Sequence, residues 1–489
     1  MSGTLSQGLL VGWLEAPFLV AFLTALLPAI GEWPLVLCCL ATGWVGLYTL
    51  IGGSGFTLML LGNHGVVLQL DPLAGWFLLL NAAVMLAVRL DLRQQPERPP
   101  PMLPAVLLGG LNTCFLVSDL ISLYVALELV GITAFLLILR DGSPQRLWIA
   151  LRYLLISNTA MTLYLVGAGL NYAVTGSFRF SSLQGLPLGA AQVLLLTGLF
   201  TKGGLFLPGL WLPRSHAEAP SDVSALLSAV VVTAGVAPLL RLAAIEPSFE
   251  PLIRGIGISS AVFGVLQALS ASDIKRMLAW STVSQMGLVV LSPVAGGALA
   301  LAHGLAKAPL FLAAGRINDR QLQGWSERSR AWSEEIPLWI GSLSIAGMPA
   351  LAGFGAKKML GANLPPLLSI AVAMVSVGSV AVYARIWTPA RSNGKSNAMP
   401  LGTALLLMLL LAGGLLGAAL LQHDLRPSDL LQVALLFTAG MLVHRLLSAD
   451  RFKLAQHMPQ LENLQDLLGN IAVVGAGLLL VLQWHELPQ

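Results

Sequence analysis

The sequence predicts an all-α polytopic membrane protein with about 14–16 transmembrane helices. Three observations carry that prediction. Of 489 residues, 56% are hydrophobic and only 10% are charged, against about 25% charged in an ordinary soluble domain. The apolar residues fall into runs of roughly 20, the length that crosses a bilayer as a helix. Hydrocarbon gives backbone N–H and C=O groups no water to bond, so a spanning run must be a helix or a strand of a closed barrel. The alternating pattern of a barrel strand is not seen, and a soluble enzyme with one anchor does not have this composition.

In order, the expected spans are 9–29, 34–53, 73–90, 102–117, 120–139, 149–172, 188–210, 221–243, 252–270, 277–292, 294–316, 336–360, 364–388, 400–421, 429–447 and 468–484. The first apolar stretch is long enough to span and has no basic residues before it, so we read it as a span and not as a cleavable signal. The spans group into 1–100 with spans one to three, two five-helix units at 101–245 and 250–390, and a C-terminal group at 396–489. The stretch 91–101, DLRQQPERPPP, reads as an extended connector. The segment Leu454–Leu468 has apolar residues at helical spacing and fits either a helix lying along the membrane or a solvated linker.

Basic residues set the expected orientation. The connections after spans three, five, nine, eleven, thirteen and fifteen hold Arg93 and Arg98; Arg140 and Arg146; Lys275 and Arg276; Arg316, Arg320, Arg328 and Arg330; Arg391 and Lys395; Arg451 and Lys453. The alternate connections hold few: Arg179, Arg214, Arg241, Arg254 and Arg426. By the positive-inside rule the first set is cytoplasmic and the N-terminus is outside. The net charge of +4 is small for this length. Cys38, Cys39 and Cys114 lie in apolar runs without metal-ligand spacing and read as small core residues. No Walker A motif, nucleotide fingerprint or cysteine cluster is seen, so we expect no cofactor, no metal, no nucleic acid and no catalytic site.

Against this background a few ionisable groups stand out. Lys202 sits mid-run in LLLTGLFTKGGLFLPGLWLP, flanked by Gly203 and Gly204 and followed by Pro208. An ammonium at bilayer depth costs about 2.5–3.5 kcal/mol on insertion scales, so such a group by default marks an ion or proton route. Glu128 lies in DLISLYVALELVGITAFLLIL. His303 and Lys307 are four residues apart and share one helix face. Lys357 and Lys358 follow SLSIAGMPALAGFGAKK, where Gly347, Pro349, Gly353 and Gly355 interrupt a spanning pattern. Spans seven and twelve are thus expected to be broken. Matching breaks in two five-helix units point to inverted repeats, because an odd helix number makes the second unit enter from the opposite side. Simpler readings stand beside these. Glu128 also fits a structural pair with a lysine, His303 a satisfied core histidine, and Lys358 an amine reaching the interface. Asp273, Lys275 and Arg276 read as a loop cluster that anchors.

At these residues the sequence resembles the antiporter-like membrane subunits shared by respiratory complex I and the multisubunit Mrp sodium/proton antiporters. The motifs are ISLYVALELVGI, LFTKGGLFLPGLWLP with APSDVSALL, SDIKRMLAWSTVSQMGLVVL, HGLAKAPLFLAAG and AGMPALAGFGAKKML, spread from Asp71 to Arg385. The resemblance implies that Glu128 pairs with Lys202, that His303 and Lys307 link two half-channels, and that Lys357 exchanges protons with one side. Lysine in GAK is closer to the Mrp D-type subunit and the distal complex I subunit, although the long lateral helix of the latter is absent. Thr233 stands where many members carry a lysine, Gly209 where others carry a histidine or aromatic residue, and Ser228 and Leu299 replace histidines of certain members. Either waters held by Ser228 and Thr233 bridge the thinner route, or this member conducts poorly. The implied function is proton translocation within a Mrp-type cation/proton antiporter, with membrane subunits, protons, a monovalent cation and lipid as partners. A complex I-type redox pump, an inorganic-carbon uptake complex and a non-conducting scaffold are the alternatives. The implied location is a bacterial inner membrane or another energy-transducing membrane such as the thylakoid.

Overall fold

All but the last of the expected spans coincide with helices in the computed structural model. The structure describes residues 2–52, 55–60, 65–93, 99–140, 142–327, 329–388, 398–420, 426–448, 469 and 475–477. The expected span 468–484 falls largely outside these residues, the segment Leu454–Leu468 entirely so, and the connector 91–101 in part. Arg98, Arg328, Arg391, Lys395, Arg451 and Lys453 also lie outside them.

The chain opens with α1 (Ser2–Leu26) and α2 (Trp33–Gly52), followed by a short antiparallel hairpin of β1 (Phe56–Met59) and β2 (Val67–Leu70). Next come α3 (Pro72–Leu92), α4 (Met102–Leu116), α5 (Leu120–Leu139), α6 (Pro144–Thr175), α7 (Ala190–Lys202) and α8 (Leu212–Glu218). A single span is then shared by α9 (Ser221–Leu226), a π-helical turn at Leu227–Val231 and α10 (Thr233–Ile245). The second half runs through α11 (Glu250–Ser270), α12 (Ile274–Val289), α13 (Pro293–Ala314), α14 (Trp332–Ala346), α15 (Ala352–Ala362) and α16 (Pro366–Ala384). The last described helices are α17 (Leu401–Leu420) and α18 (Pro427–Ser448).

Local sequence explains most of the boundaries. The side chains of Asp71, Asp119, Ser143, Asp273 and Ser292 each accept the backbone N–H three residues on, which satisfies a donor that the first helical turn leaves free. Pro72, Pro144 and Pro293 follow three of these caps, at the position where a missing N–H costs nothing. Gly176 and Gly347 end α6 and α14 in the left-handed conformation. The hairpin is the departure from an all-helical reading. It is held against the bundle by Val67 N–H donating to Asp119 Oδ2 (3.0 Å) and Ser118 N–H donating to the Val67 carbonyl (2.8 Å).

Among the described residues, ten helices are long and apolar enough to cross a membrane. Burial separates an inner from an outer set. The span Ser221–Ile245 is 100% buried and Pro293–Ala314 89%, whereas Pro427–Ser448 is 6% buried. Among the described residues α18 is thus the least buried span, and the α9–α10 run and α13 form the centre. Both central spans depart from regular helix. Pro238 in α10 and Pro309 in α13 each lack the N–H that a helix donates four residues back.

Candidate functional site

Lys202 is the last residue of α7, and helix does not resume until Leu212. Gly204 (φ 65°) and Leu207 (φ 57°) turn the chain through the left-handed region. The groups freed by the break are bonded again within the protein. Leu205 N–H donates to the Phe200 carbonyl (3.0 Å), Gly209 N–H to the Leu205 carbonyl (2.6 Å), and Trp211 Nε1–H to the Thr201 carbonyl (2.8 Å). At Gly235, α10 comes so close to the backbone of Gly203 that a β-carbon would collide with it. The helix break is thus packed against a central span, and it falls directly after Lys202.

The Lys202 side chain is 8% exposed. Its Nζ donates to the Leu127 carbonyl (3.0 Å) and to Ser157 Oγ (2.5 Å). The directly bonded Glu128–Lys202 pair that the motifs imply is not formed in this conformation. The two charges interact across a gap, and Glu128 Oε1 is buried without a hydrogen-bond partner. The α5 backbone competes for the ammonium, because the Leu127 carbonyl next to Glu128 is already within its reach. Gly131 keeps the space open, since a β-carbon there would sit 2.9 Å from Lys202 Nζ and 3.1 Å from Ser157 Oγ.

Lys307, on α13, is fully buried. Its Nζ donates to the Leu278 carbonyl (2.6 Å), to Ser281 Oγ, and to the Tyr383 hydroxyl (3.1 Å), and it lies 5.8 Å from the Tyr383 ring centroid. Ser281 and Tyr383 are themselves hydrogen-bonded (2.8 Å). Thr282 Oγ1 also donates to the Leu278 carbonyl (3.1 Å) and pairs with Ser228 Oγ (2.7 Å), so one network runs from the amine to the π-helical turn. His303, one turn from Lys307, is buried with neither ring nitrogen bonded; it faces the Ser228 backbone and is within electrostatic reach of Lys307 and His216. The expected bridging residues divide here. Ser228 joins the Lys307 network, while Thr233 donates to the Val230 carbonyl of its own span (2.6 Å).

Lys357 follows the second interruption, where Gly347 (φ 94°) and Ala350 (φ 68°) separate α14 from α15. Its amine reaches Ser376 Oγ at 3.4 Å and lines a cavity of about 400 Å³ with Lys358, Ser369, Asp429 and Gln432. Lys358, expected only to reach an interface, pairs with Asp429 of α18 at 2.6 Å.

The expected loop cluster lies at the start of α12. Asp273 caps α12 and pairs with Arg320 (3.2 Å), Ile274 N–H donates to the Arg320 carbonyl (2.9 Å), and buried Lys275 donates to the Ala219 carbonyl (2.6 Å). A cavity of about 740 Å³ gathers Arg140, Arg146, Lys275, Arg316 and Arg320, so three of the basic-rich connections share one face. Glu218 and Asp222 line it too, which puts the connection bearing Arg214 on this face and not on the opposite one. On the connection between α10 and α11, hydrogen bonds from Ser248 and from the Gly185 N–H hold the Glu246 carboxyl below the usual carboxylate range.

Several contacting residues are not legible from sequence. Ser157, Ser281 and Tyr383 are ordinary residues for an apolar helix. His216 is fully buried between Trp211 and Phe311. A signal for it did exist, a lone histidine just after the first break, but the helix pattern fades there.

The amines, the two interruptions and the enclosed central spans all fall within the stretch that known proteins share with this chain. Residues 117–382 match the sequence profile of the family described as NADH:quinone oxidoreductase/Mrp antiporter, TM. The D subunit of the Na(+)/H(+) antiporter of Alkalihalophilus pseudofirmus is 29% identical over 364 residues, 66% of this chain and 74% of that protein. The N subunit of the NADH-quinone oxidoreductase of Desulforudis audaxviator is 31% identical over 370 residues, 66% of this chain and 72% of that protein. Among solved structures, the fold matches a chain of the Mrp complex from Dietzia sp. DQ12-45-1b with a TM-score of 0.78 at 23% identity, over 95% of this chain but only 59% of that one. It matches a chain of respiratory complex I from Thermus thermophilus with a TM-score of 0.71 at 22% identity, over 88% of this chain and 99% of that one. Both structural neighbours are subunits of multisubunit membrane complexes. With a profile that covers more than half its length and takes in every buried amine described above, this integral membrane protein belongs to the NADH:quinone oxidoreductase/Mrp antiporter transmembrane family.

Proposed function

We propose that this chain translocates protons as one subunit of a multisubunit membrane complex, a cation/proton antiporter of the Mrp kind. The observation that carries the reading is the set of three amines. Lys202 and Lys307 are buried in the bundle, each bonded to protein oxygens, and Lys357 lines a cavity. A chain retains amines at such depth at a cost of a few kcal/mol each, and conduction is the usual return. Lysine suits the task because desolvation lets an ammonium release its proton, which arginine does not do in proteins.

In this reading Glu128 governs the charge on Lys202. The proton passes from there toward Lys307 along the polar groups around His303, Ser228 and Thr282, and leaves through the cavity at Lys357. The two interrupted spans serve as the moving parts of two inverted five-helix repeats. The face rich in arginine lies in the cytoplasm and the N-terminus outside. A monovalent cation is the exchanged ion.

The test uses membrane vesicles that hold the assembled complex. Lys202→Ala is expected to abolish cation-dependent proton movement, followed with a pH-sensitive dye, at an unchanged amount of complex. Full transport in that variant ends the proposal. A second reading, a proton-pumping subunit of a redox-driven complex, draws on the length match, since this chain spans 99% of its complex I counterpart. Flavin or iron–sulfur absorbance in the purified native assembly would favour it.

A further inference from the structure

The break after α7 leaves Lys202 bonded to something other than its expected acid. The ammonium rests on two oxygens, the Leu127 carbonyl at 3.0 Å and Ser157 Oγ at 2.5 Å. Glu128 Oε1, on the residue next to Leu127, is buried and has no hydrogen-bond partner. Carbonyls of a helix point toward its C-terminus while side chains tilt toward its N-terminus. Leu127 C=O and the Glu128 carboxylate therefore diverge along α5, and the amine bonded to the carbonyl is not bonded to the acid.

We propose that Ser157, the Leu127 carbonyl and the space beside Gly131 form a berth for Lys202 in the state where it is parted from Glu128. Ser157 is then a positioning residue for proton transfer, acting through Lys202. This inference rests on the proposed transport function and adds a residue of α6 to it. Two features favour a berth over a chance contact. The first is the chemistry of a hydroxyl, which accepts from an ammonium and donates to the lone pair of a neutral amine. After the proton has left, the neutral amine can still donate to the Leu127 carbonyl, but of the two oxygens only the Ser157 hydroxyl can also donate to the lone pair left behind. Among the described residues Lys202 is its one hydrogen-bond partner, so its proton is free to turn. The second is the room left for it. A β-carbon at position 131 would come within 2.9 Å of the amine and 3.1 Å of the hydroxyl, and glycine stands there.

The test compares Ser157→Ala, Ser157→Thr, Gly131→Ala and Lys202→Ala in vesicles carrying the assembled complex, with rates divided by the amount of complex recovered. Charge-assisted hydrogen bonds of this kind are worth about tenfold or more in an equilibrium. Ser157→Ala should therefore lower the maximal rate by roughly tenfold with little change in the cation concentration at half-maximal rate. Ser157→Thr, which keeps the hydroxyl, should restore most of that rate. Gly131→Ala should resemble Ser157→Ala. Wild-type rates in Ser157→Ala overturn the inference, as does equal loss in the alanine and threonine variants, which would mark a packing role. Lys202→Ala separates the two layers. If it is inactive while Ser157→Ala is normal, the berth falls and the transport reading stands; if it is fully active, the transport reading falls first.

Discussion

Lys202 and Lys307 meet the same difficulty, an amine in the middle of a membrane protein, and the two regions meet it in partly different ways. Each amine donates to one backbone carbonyl and one serine hydroxyl of neighbouring helices: Leu127 and Ser157 for the first, Leu278 and Ser281 for the second. Around Lys202 there is also an acid within electrostatic reach, Glu128. Around Lys307 the third oxygen is the Tyr383 hydroxyl, and among the described residues no carboxylate pairs with the amine. Placing an amine in the core therefore takes hydrogen-bond acceptors, not an ion pair. The acid near Lys202 is an addition, a charge within electrostatic reach of that amine.

The most severe test of this contrast is Lys307→Met. Methionine fills similar volume without charge, so the desolvation cost of the ammonium disappears while Ser281 stays bonded to the Leu278 carbonyl and to Tyr383. We expect an assembled complex with at least wild-type thermal stability and transport lowered by more than tenfold, read from vesicle proton flux and from thermal unfolding in detergent. Normal flux in this variant would remove Lys307 from the route and dissolve the parallel between the sites.

Glu128→Gln addresses the added acid and comes next in size. It keeps the shape and removes the charge that acts on Lys202. Flux should fall by about tenfold, the scale of a partly buried charge interaction of ~1.4 kcal/mol. The Tyr383→Phe change is milder. It removes one of three oxygens from Lys307 and keeps the ring, so a loss of about three- to fivefold is expected, in line with ~1 kcal/mol for a hydrogen bond. Because Glu128 acts on Lys202 electrostatically and Tyr383 bonds Lys307, the double variant should show the product of the two losses. Clear departure from that product would mean that the sites act as one unit.

Sequence reasoning reached one side of this contrast and not the other. Lys202, Lys307 and Lys357 are legible because each violates hydropathy, and the breaks around Gly203–Gly204 and Gly347–Ala350 because glycine and proline interrupt a spanning run. Their acceptors are not. Ser157 lies 45 residues from Lys202 and Tyr383 lies 76 from Lys307, and nothing about a serine or tyrosine in an apolar helix says which amine it will meet. A carbonyl such as that of Leu127 has no sequence signature at all. The implied Glu128–Lys202 contact failed for the same reason, since a competing backbone oxygen is invisible until helices are packed. The hairpin of Phe56–Met59 and Val67–Leu70 was missed because strands of four residues vanish in a window long enough to find spans.

The smallest expected effect concerns the third amine-bearing region, where the environment is a cavity and not a cage. Lys358 and Asp429 pair at 2.6 Å across α15 and α18, with side chains 23% and 18% exposed. Such partly wet pairs usually contribute ~0–1 kcal/mol, because water screens the attraction and ordering two side chains opposes it. Asp429→Asn should therefore lower the unfolding temperature by only a degree or two and leave flux within about twofold of wild type. The alternative outcome carries more information. A loss comparable to that of Glu128→Gln would mean that Asp429 does for Lys357 what Glu128 does for Lys202. The acid-assisted arrangement would then occur at two of the three amines, and Lys307 would be the exception.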